Sequence, residues 1–537
     1  MRRTNAFKYI FIIVIIALSI VTYLIYRREN TQEEAQKNVS QEQEETENVV
    51  KELRLAISGL DTINPIISAN KHVQEISRII FDSLVELDEH YAISGGLAEE
   101  IEKEEDNITY IIKLREGVKW SDGTDFTATD VKFTLDLLKN NPYSIYNKNV
   151  ERIASYEVQD DHHIKLVLDQ DVQFFEYNLT FPIMCYKYYE GINFYDSERT
   201  NTPIGTGMFM IESFDEKVIR LSKNPEYWNE NKHTVLEKVN INVYGTMGEV
   251  YNDFKNGNVD VINTTQSSVN QYIGTIGFAA KEFDGRNYDF IAFNTANSIL
   301  ASSKVRRALC YYIDKTNTVA SCYGNSYRQS DFPLDFGSYL YQADKIDNGY
   351  NSEIAGTLLG EDGWVYRNNS WQKANGSKFT RLTFTLAVNS DNATDVAIAE
   401  NLKWQWANAG IQVTIRHYNN ANYHNLLNSR TGYDAILVNY TSSFTPNLSS
   451  FFGLGNFSNY YNAEISQIME ECKQLGDMNQ IAEKYVRILE IYNEEKPILS
   501  LAREKNLLVY NTNLAGNLMP TAYNIYNYIE KWYRKNY

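Results

Sequence analysis

One short stretch, Leu114 to Leu138, places a strand end, a turn and a helix start in immediate succession. Before it, apolar and polar residues alternate from Thr109 to Arg115, which is typical of a half-buried strand. Gly123 completes a Ser-Asp-Gly turn, because glycine accepts the positive φ that other residues resist. Thr127 stands three residues before Asp130, which is the spacing of a capping box. The stretch therefore predicts a strand–turn–helix unit, and it carries no nucleophile paired with a base.

The same stretch resembles the signature region of the family 5 extracellular solute-binding proteins, the peptide/nickel-type receptors of ABC importers. The residues that carry the resemblance are Leu114, Arg115, Gly117, Val118, Trp120, Ser121, Asp122, Gly123, Thr124, Phe126, Thr127, Ala128, Asp130 and Val131. Other segments resemble the family in chain order, among them Leu60–Pro65, Ile204–Phe209, Leu221–Trp228, Gly432–Ala435 and Pro497–Leu501. The resemblance covers residues 52 to 510.

This resemblance implies an α/β fold of the periplasmic-binding-protein-like type II class, with two hinged lobes, mixed sheets and an extra subdomain, behind an N-terminal transmembrane helix. A chain of 537 residues is too long for one compact core, so several domains are expected in any case. The predicted parts are a signal anchor or transmembrane helix (1–28), a disordered linker (29–51), lobe I (52–95, 205–292 and 500–537), the extra subdomain (96–204) and lobe II (293–499).

The net charge of −18 argues against nucleic acid as a partner, because affinity for phosphates comes largely from Lys and Arg. It also argues against broad contact with an anionic membrane surface. The 40 tyrosines suit a wide binding cleft, although a compositional bias of the genome explains them equally well. We expect a monomeric, acidic, extracytoplasmic head.

The four cysteines are Cys185, Cys310, Cys322 and Cys472. They form neither a CxxC pair nor a zinc-finger spacing. A structural disulfide is compatible with export, but a large core does not need one, and we favour buried free thiols.

The amino terminus carries an apolar run from Tyr9 to Tyr26, preceded by Arg2, Arg3 and Lys8. About 18 helical residues span about 27 Å, close to the thickness of a hydrocarbon core. The run also resembles the apolar part of a signal peptide, but no small-x-small cleavage site follows it. We therefore expect an uncleaved anchor in the cell membrane, with the bulk of the chain outside. Residues 29–51 are polar and predict a disordered tether.

The search for catalytic and metal motifs is negative. The sequence contains no HExxH, GxSxG, P-loop or EF-hand pattern, and its seven histidines are scattered. We therefore expect a binding protein that is not an enzyme and needs no metal or cofactor.

The resemblance implies a solute site between the lobes, where hinge closure buries a ligand. Peptide-binding relatives carry an aspartate for the peptide's α-ammonium group in the segment that corresponds to Asn439–Pro446, and Ser442 stands at that position here. Ile436 replaces an arginine that some relatives carry. Because a buried ammonium group without a carboxylate partner is costly, capture of a free amino end is in doubt. A site that reads backbone amides, or a neutral or glycan-like solute, stays an alternative.

The candidate ligand-binding residues are Tyr440, Ser442, Phe444, Thr265 and Asn70. Thr265 and Asn70 rest on loop position alone, since ligands of open α/β sheets bind beyond the carboxyl ends of strands. The functional prediction is a membrane-tethered receptor that captures oligopeptides or a similar small solute and passes them to ABC permease subunits. Two alternatives stay open: a solute sensor that signals through a membrane partner without transport, and a degenerate surface protein.

Overall fold

The computed structural model describes residues 49–265, 276–347 and 349–536. The predicted membrane anchor and almost all of the predicted tether lie outside these residues. Within the described part of the chain, no helix combines the length and apolar character that crossing a membrane requires. The last residues of the predicted tether, Val49–Val50, form a short strand that pairs with the strand Tyr533–Lys535, so the ordered chain begins earlier than the sequence indicated.

The strands, in chain order, are β1 (Val49–Val50), β2 (Glu52–Ser58), β3 (Glu86–Leu87), β4 (Ile93–Gly95), β5 (Ala98–Lys103), β6 (Thr109–Leu114), β7 (Ile153–Asp160), β8 (His163–Leu168), β9 (Phe209–Asp215), β10 (Val218–Lys223), β11 (Lys238–Tyr244), β12 (Val261–Thr265), β13 (Phe278–Phe293), β14 (Tyr327–Gln329), β15 (Trp364–Arg367), β16 (Ser370–Asn375), β17 (Lys378–Arg381), β18 (Thr383–Asn389), β19 (Gln412–Tyr418), β20 (Ala435–Thr441), β21 (Ile498–Asn511), β22 (Leu514–Ala515) and β23 (Tyr533–Lys535).

The described α-helices are α1 (Lys71–Ile80), α2 (Ala128–Asn140), α3 (Tyr186–Tyr189), α4 (Ser197–Asn201), α5 (Met247–Lys255), α6 (Ser303–Tyr311), α7 (Lys315–Cys322), α8 (Ser352–Glu361), α9 (Ala393–Asn408), α10 (Asn420–Ser429), α11 (Ser449–Phe452), α12 (Ala463–Cys472) and α13 (Met478–Glu495). Short 3₁₀ helices cover Asn147–Val150, Phe175–Leu179, Ala343–Lys345 and Ile529–Lys531.

Lobe I, as we use the name for the structure, is built on two four-stranded sheets that share one apolar core. The first sheet has the order β2-β11-β10-β9, and its β2 and β11 are parallel. The second has the order β5-β6-β8-β7 and belongs to the segment predicted as the extra subdomain. Alternate residues Leu53, Leu55 and Ile57 of β2 are fully buried, as the strand pattern predicts.

Lobe II is built on a sheet with the order β12-β21-β13-β20-β18-β19, with β14 also paired to β21. Among the described residues, lobe II has two separate apolar cores. One contains Phe293 and Trp406, and the other contains Phe290 and Tyr485. The predicted βαβ unit is present, since β18 and β19 are parallel and α9 connects them. Gly410 follows this helix with a φ of +80°, a conformation that glycine adopts without strain.

The long strands β13 and β21 pair with each other and connect the two lobes. At one end, Leu507 and Val509 of β21 pack with Phe254 of α5 beside the first lobe. At the other end, Leu499 and Leu501 belong to a core of lobe II. The β13–β21 register is interrupted between Asp284 and Tyr288, so the ladder is irregular between its two ends.

The strand–turn–helix stretch folds as its sequence predicts, with Asp130 at its centre. The Asp130 carboxylate accepts hydrogen bonds from the Thr127 N–H (2.8 Å), the Tyr186 N–H (2.7 Å) and the indole N–H of Trp120 (3.3 Å). Thr127 and Asp130 form the predicted capping box at the start of α2. Burial raises the pKa of Asp130, and these donors oppose the shift. One side chain therefore joins the turn, the helix and the neighbouring segment.

The Gly205-Thr206-Gly207 run serves close backbone packing. A Cβ atom on Gly205 would lie 1.9 Å from the carbonyl oxygen of Ile80. The Gly207 N–H donates to that same oxygen (3.0 Å), and the Thr206 hydroxyl donates to Asp82 (2.9 Å). The run thus fixes the return of the chain into lobe I against the end of α1.

The four cysteines are free thiols, as favoured from the sequence, and Cys185 and Cys472 are buried. Cys310 and Cys322 are only partly buried by side-chain exposure. Burial raises the pKa of the Cys310 thiol to about 11, which keeps it protonated at neutral pH.

We predict that Gly205→Ala lowers the free energy of unfolding by at least about 2 kcal/mol, because the new methyl group must displace backbone. The measurement is urea denaturation followed by circular dichroism. The matched control is Gly360→Ala in α8, where nothing lies within 4 Å of the added Cβ. Alanine there is expected to stabilise the protein by up to about 1 kcal/mol. Equal stability of the two variants would contradict the packing role of Gly205.

Candidate solute site between the lobes

The two lobes meet where the loop 335–339 of lobe II lies against residues 89–91 of lobe I. The Tyr339 N–H donates to the backbone carbonyl of His90 (3.0 Å). The His90 ring nitrogen Nδ1 lies 3.1 Å from the carbonyl oxygen of Gly337. One of these contacts joins two backbone segments and the other a side chain and a backbone carbonyl, and an opening of the hinge would break both.

Phe444 brings lobe II into contact with aromatic side chains of lobe I. Its ring stacks on Tyr91 (centroids 6.3 Å apart, planes at 16°) and meets the edge of Tyr523 (5.4 Å, 83°). The Arg286 guanidinium lies 4.6 Å from the centre of the same ring. Aromatic and cation–π contacts of this kind stabilise a buried junction. Phe444 therefore stabilises the contact between the two lobes.

Arg503 of β21 lies at the centre of this junction and is 0% exposed. Its Nη1 donates to the Ser442 hydroxyl (3.1 Å) and to the Asp335 carboxylate (3.3 Å). Its guanidinium carbon lies 5.0 Å from the centre of the Tyr288 ring. The strand, the ring and the carboxylate together fix the position of the guanidinium group.

Ser442 and Arg286 join β13 to the chain after β20. The Ser442 N–H donates to the Arg286 carbonyl oxygen (2.8 Å), and Arg286 Nε donates to the Ser442 carbonyl oxygen (2.8 Å). Burial lowers the pKa of Arg286. The guanidinium has no ion-pair partner among the described residues, although Asp335 lies near enough to oppose that shift.

A further ion pair completes the charged groups of the junction. Arg328 pairs with the buried carboxylate of Asp284, which also accepts the Phe336 N–H (2.9 Å). Burial raises the pKa of Asp335, and Arg503 opposes this shift. Within the described residues, the junction thus holds the guanidinium groups of Arg286, Arg328 and Arg503 and the carboxylates of Asp284 and Asp335. Each of the two carboxylates already has an arginine partner.

A cavity of about 400 Å³ lies beside the junction and is bounded by both lobes. Val85 and Arg115 line it from the first lobe, and Tyr339 and Met478 line it from the second. The hydroxyl of Tyr177, another lining residue, donates to the backbone carbonyl of Tyr91 (3.0 Å). The volume is within the range of pockets that hold small ligands.

The structure brings Ser442 and Phe444 together at the junction but places the other predicted site residues elsewhere. The Tyr440 ring packs inside lobe II against Phe451 (5.1 Å), and its hydroxyl donates to Ser450 (3.2 Å). Asn70 caps α1, since it accepts the His72 N–H (2.9 Å) and donates to the carbonyl of Gly59 (2.7 Å).

Thr265 is the last residue of β12, so it belongs to a strand and not to the predicted loop. The loop predicted from Thr264 to Gln271 otherwise falls outside the described residues. A role in binding for all five residues stays a prediction.

Sequence reasoning missed Arg503, Arg286, Asp335 and Tyr91. One signal was present, because Arg503 ends the apolar run Ile498–Ala502 within a strand that is buried along most of its length. A charged residue in such a strand requires partners. Within the described residues, no group of three or more His, Cys, Asp or Glu side chains is arranged to hold a metal ion.

We predict that Phe444→Ala destabilises the closed arrangement by about 1–3 kcal/mol, because it removes contacts with Tyr91, Tyr523 and Arg286. Small-angle X-ray scattering should then report a larger radius of gyration for the unliganded protein. Tyr440→Ala is the control, since this ring packs within one lobe, and it should leave the radius unchanged. Identical scattering from Phe444→Ala and the unmodified protein would contradict the role of Phe444 in closure.

Comparisons with known proteins agree with this architecture. The Bacillus subtilis oligopeptide-binding protein AppA is 24% identical over 499 residues, which cover 88% of this chain and 89% of AppA. The solved structure of HbpA2 from Haemophilus parasuis superposes with a TM-score of 0.74 at 22% identity, covering 90% of this chain and 100% of that one. A nickel ABC transporter structure from Bacillus halodurans gives a TM-score of 0.73 at 20% identity, with 90% and 100% coverage.

These structural neighbours share the two-lobed α/β fold of periplasmic binding proteins. The family model "Bacterial extracellular solute-binding proteins, family 5 Middle" matches residues 92–462, which is more than half of the chain. The chain belongs to family 5 of the bacterial extracellular solute-binding proteins.

Proposed function

We propose that this protein is the substrate-binding component of an ABC importer, which captures a peptide or a similar small solute between its lobes and passes it to a membrane permease. Its family membership supports this function, as do relatives named oligopeptide-binding protein AppA and putative ABC transporter peptide-binding protein. The observation that carries it is the junction between the lobes, at which Arg503 binds Ser442 and Phe444 stacks on Tyr91.

The solute is bound and released without chemical change. Binding by two lobes joined through β13 and β21 requires closure around the solute, which removes it from water and holds it in one orientation. Closure also gives a membrane partner a means to distinguish loaded from empty protein. The arginines and carboxylates of the junction are already paired or fixed by backbone contacts, so they are suited to holding a solute and not to reacting with it.

The solute need not present a free amino end. The position that holds an aspartate in peptide-binding relatives is Ser442, whose hydroxyl accepts from Arg503. The nearby carboxylates of Asp284 and Asp335 are engaged by arginines, so an ammonium group would compete with those pairs. Relatives of this chain carry names as different as haem-binding protein A and glutathione-binding protein GsiB, which is consistent with a family whose site chemistry varies.

The protein acts outside the cell while attached to the membrane. Residues 1–28 supply the anchor, and the polar segment that follows them gives the head its reach. Attachment keeps the receptor close to its permease, which raises its effective concentration there.

We predict that a bound solute raises the melting temperature of the protein. A ligand at about 100 times its Kd adds about 2.7 kcal/mol to the free energy of unfolding. The measurement is a thermal-shift screen of peptide, sugar and metal-chelate libraries on the full-length protein in detergent, together with mass spectrometry of any solute that co-purifies. A protein that binds no member of any class, and that carries no solute from its host, would contradict a receptor function.

A second prediction concerns the anchor. In the native host, full-length protein should sediment with membranes, and a variant that carries a cleavable signal peptide in place of residues 1–28 should appear in the extracellular fraction. Resistance of the membrane-bound form to carbonate extraction distinguishes an anchor from peripheral adsorption. Release of the full-length protein by carbonate would contradict the proposed attachment.

A further inference from the structure

We propose that Arg503 receives a carboxylate group of the bound solute. This inference rests on the proposed solute-binding function and identifies the chemical group by which the junction recognises its solute.

The first observation is the state of the guanidinium group. Arg503 is fully buried, yet its Nε and Nη2 have no hydrogen-bond partner among the described residues. Within the described part of the chain, only Nη1 is engaged, by Ser442 and Asp335. Arginine stays charged in proteins, and a buried donor without a partner is costly, so these two nitrogens require an acceptor.

The second observation is the geometry of the free donors. Nε and Nη2 form one edge of the planar guanidinium, and this edge matches the two oxygens of a carboxylate in a bidentate pair. The guanidinium carbon lies 5.0 Å from the centre of the Tyr288 ring, and Asp335 accepts from Nη1, so the free edge is fixed before a solute arrives. A preorganised edge loses little entropy when it binds.

The third observation is the local charge. Three guanidinium groups face two carboxylates here, and Arg286 is the one without an ion-pair partner among the described residues. The other nearby charges leave this excess of one positive charge unchanged. Lys315 pairs with Asp331. Glu504 directly follows Arg503 in β21, so its side chain points to the opposite face of the sheet. One additional carboxylate would neutralise the junction.

The position of Arg503 connects solute binding to closure. Its partner Asp335 belongs to the loop that contacts His90 of lobe I, and its other partner Ser442 stands two residues before Phe444, which stacks on Tyr91. A carboxylate on the free edge would therefore lie between the elements that meet when the lobes close. A solute without that group would leave the free edge of the buried guanidinium without an acceptor.

The carboxylate has two available sources in a peptide, the carboxyl terminus and an acidic side chain. The test uses full-length protein in detergent and native mass spectrometry with four defined peptide pools of three to five residues. The pools are free acids and carboxyl-terminal amides, each with and without an internal Asp or Glu. Every peptide competes within a single mixture, and solute co-purified from the host is identified in parallel.

We expect peptides that carry a carboxylate to bind at least tenfold more tightly than amides without an acidic side chain. Strong binding of amides with an internal Asp or Glu assigns the group to a side chain, and binding of free acids alone assigns it to the terminus. Equal binding of all pools, or a co-purified solute without a carboxylate, overturns the proposal while leaving solute binding intact. Binding of no peptide and no host solute instead contradicts the proposed function itself.

The variants Arg503→Lys and Arg503→Gln connect the preference to this residue. The lysine keeps the charge beside Asp335 but loses the planar edge, and glutamine loses both. We expect the preference for carboxylate-bearing peptides to fall about tenfold or more in each. Arg306→Lys is the matched control, because Arg306 is also buried but its donors are occupied by backbone carbonyls and Glu495. It should keep the preference whatever its stability.

If Arg503→Gln fails to fold, the comparison of pools on the unmodified protein and on Arg503→Lys still decides the question. An unchanged preference in folded Arg503→Lys would overturn the assignment to this residue, whether or not Arg503→Gln folds.

Discussion

The antiparallel pairing of β13 and β21 is the constraint on which the rest of the structure depends. These two strands are long enough to contribute to the core beside lobe I at one end and to the core of lobe II at the other. Their ladder is interrupted between Asp284 and Tyr288, at the level where the lobes meet. Two lobes joined by a short irregular segment can change their relative orientation at little cost to either core, because each core retains its own packing.

The junction places buried charge where a soluble protein ordinarily avoids it. Arg503 is removed from water inside a strand, and its environment compensates that cost through Asp335, Ser442 and the face of Tyr288. The compensation is incomplete, since two of its nitrogens have no partner among the described residues. Strained or incompletely satisfied polar groups are concentrated at functional sites, and this group lies at the junction of the two lobes.

Local elements were predictable from the sequence because their contacts are local. Thr127, Asp130 and Trp120 specify the strand–turn–helix stretch through hydrogen bonds that span at most ten residues. The βαβ unit around α9 was predicted from the order of strand, helix and strand and from Gly410 at the end of the helix. The ordered strand β1 was missed because its partner β23 lies at the other end of the chain.

The site was predictable only in part, for the same physical reason. Ser442 and Phe444 were named because their segment resembles one in peptide-binding relatives, whereas Arg503 meets Ser442 across 61 residues and Asp335 across 168. Loop position also indicated Asn70, but a short polar side chain before a helix serves equally well as an amino-terminal cap, and Asn70 has that contact in the structure. No pattern along the chain distinguishes an asparagine that caps a helix from one that binds a ligand.

The most direct measurement is a crystal structure of the protein with its native solute bound. The account predicts that the solute lies between the lobes, in contact with Ser442 and Phe444, and that two of its oxygens lie within about 3 Å of Nε and Nη2 of Arg503. A solute found wholly within one lobe, or an Arg503 edge that stays without a partner in the complex, would contradict it.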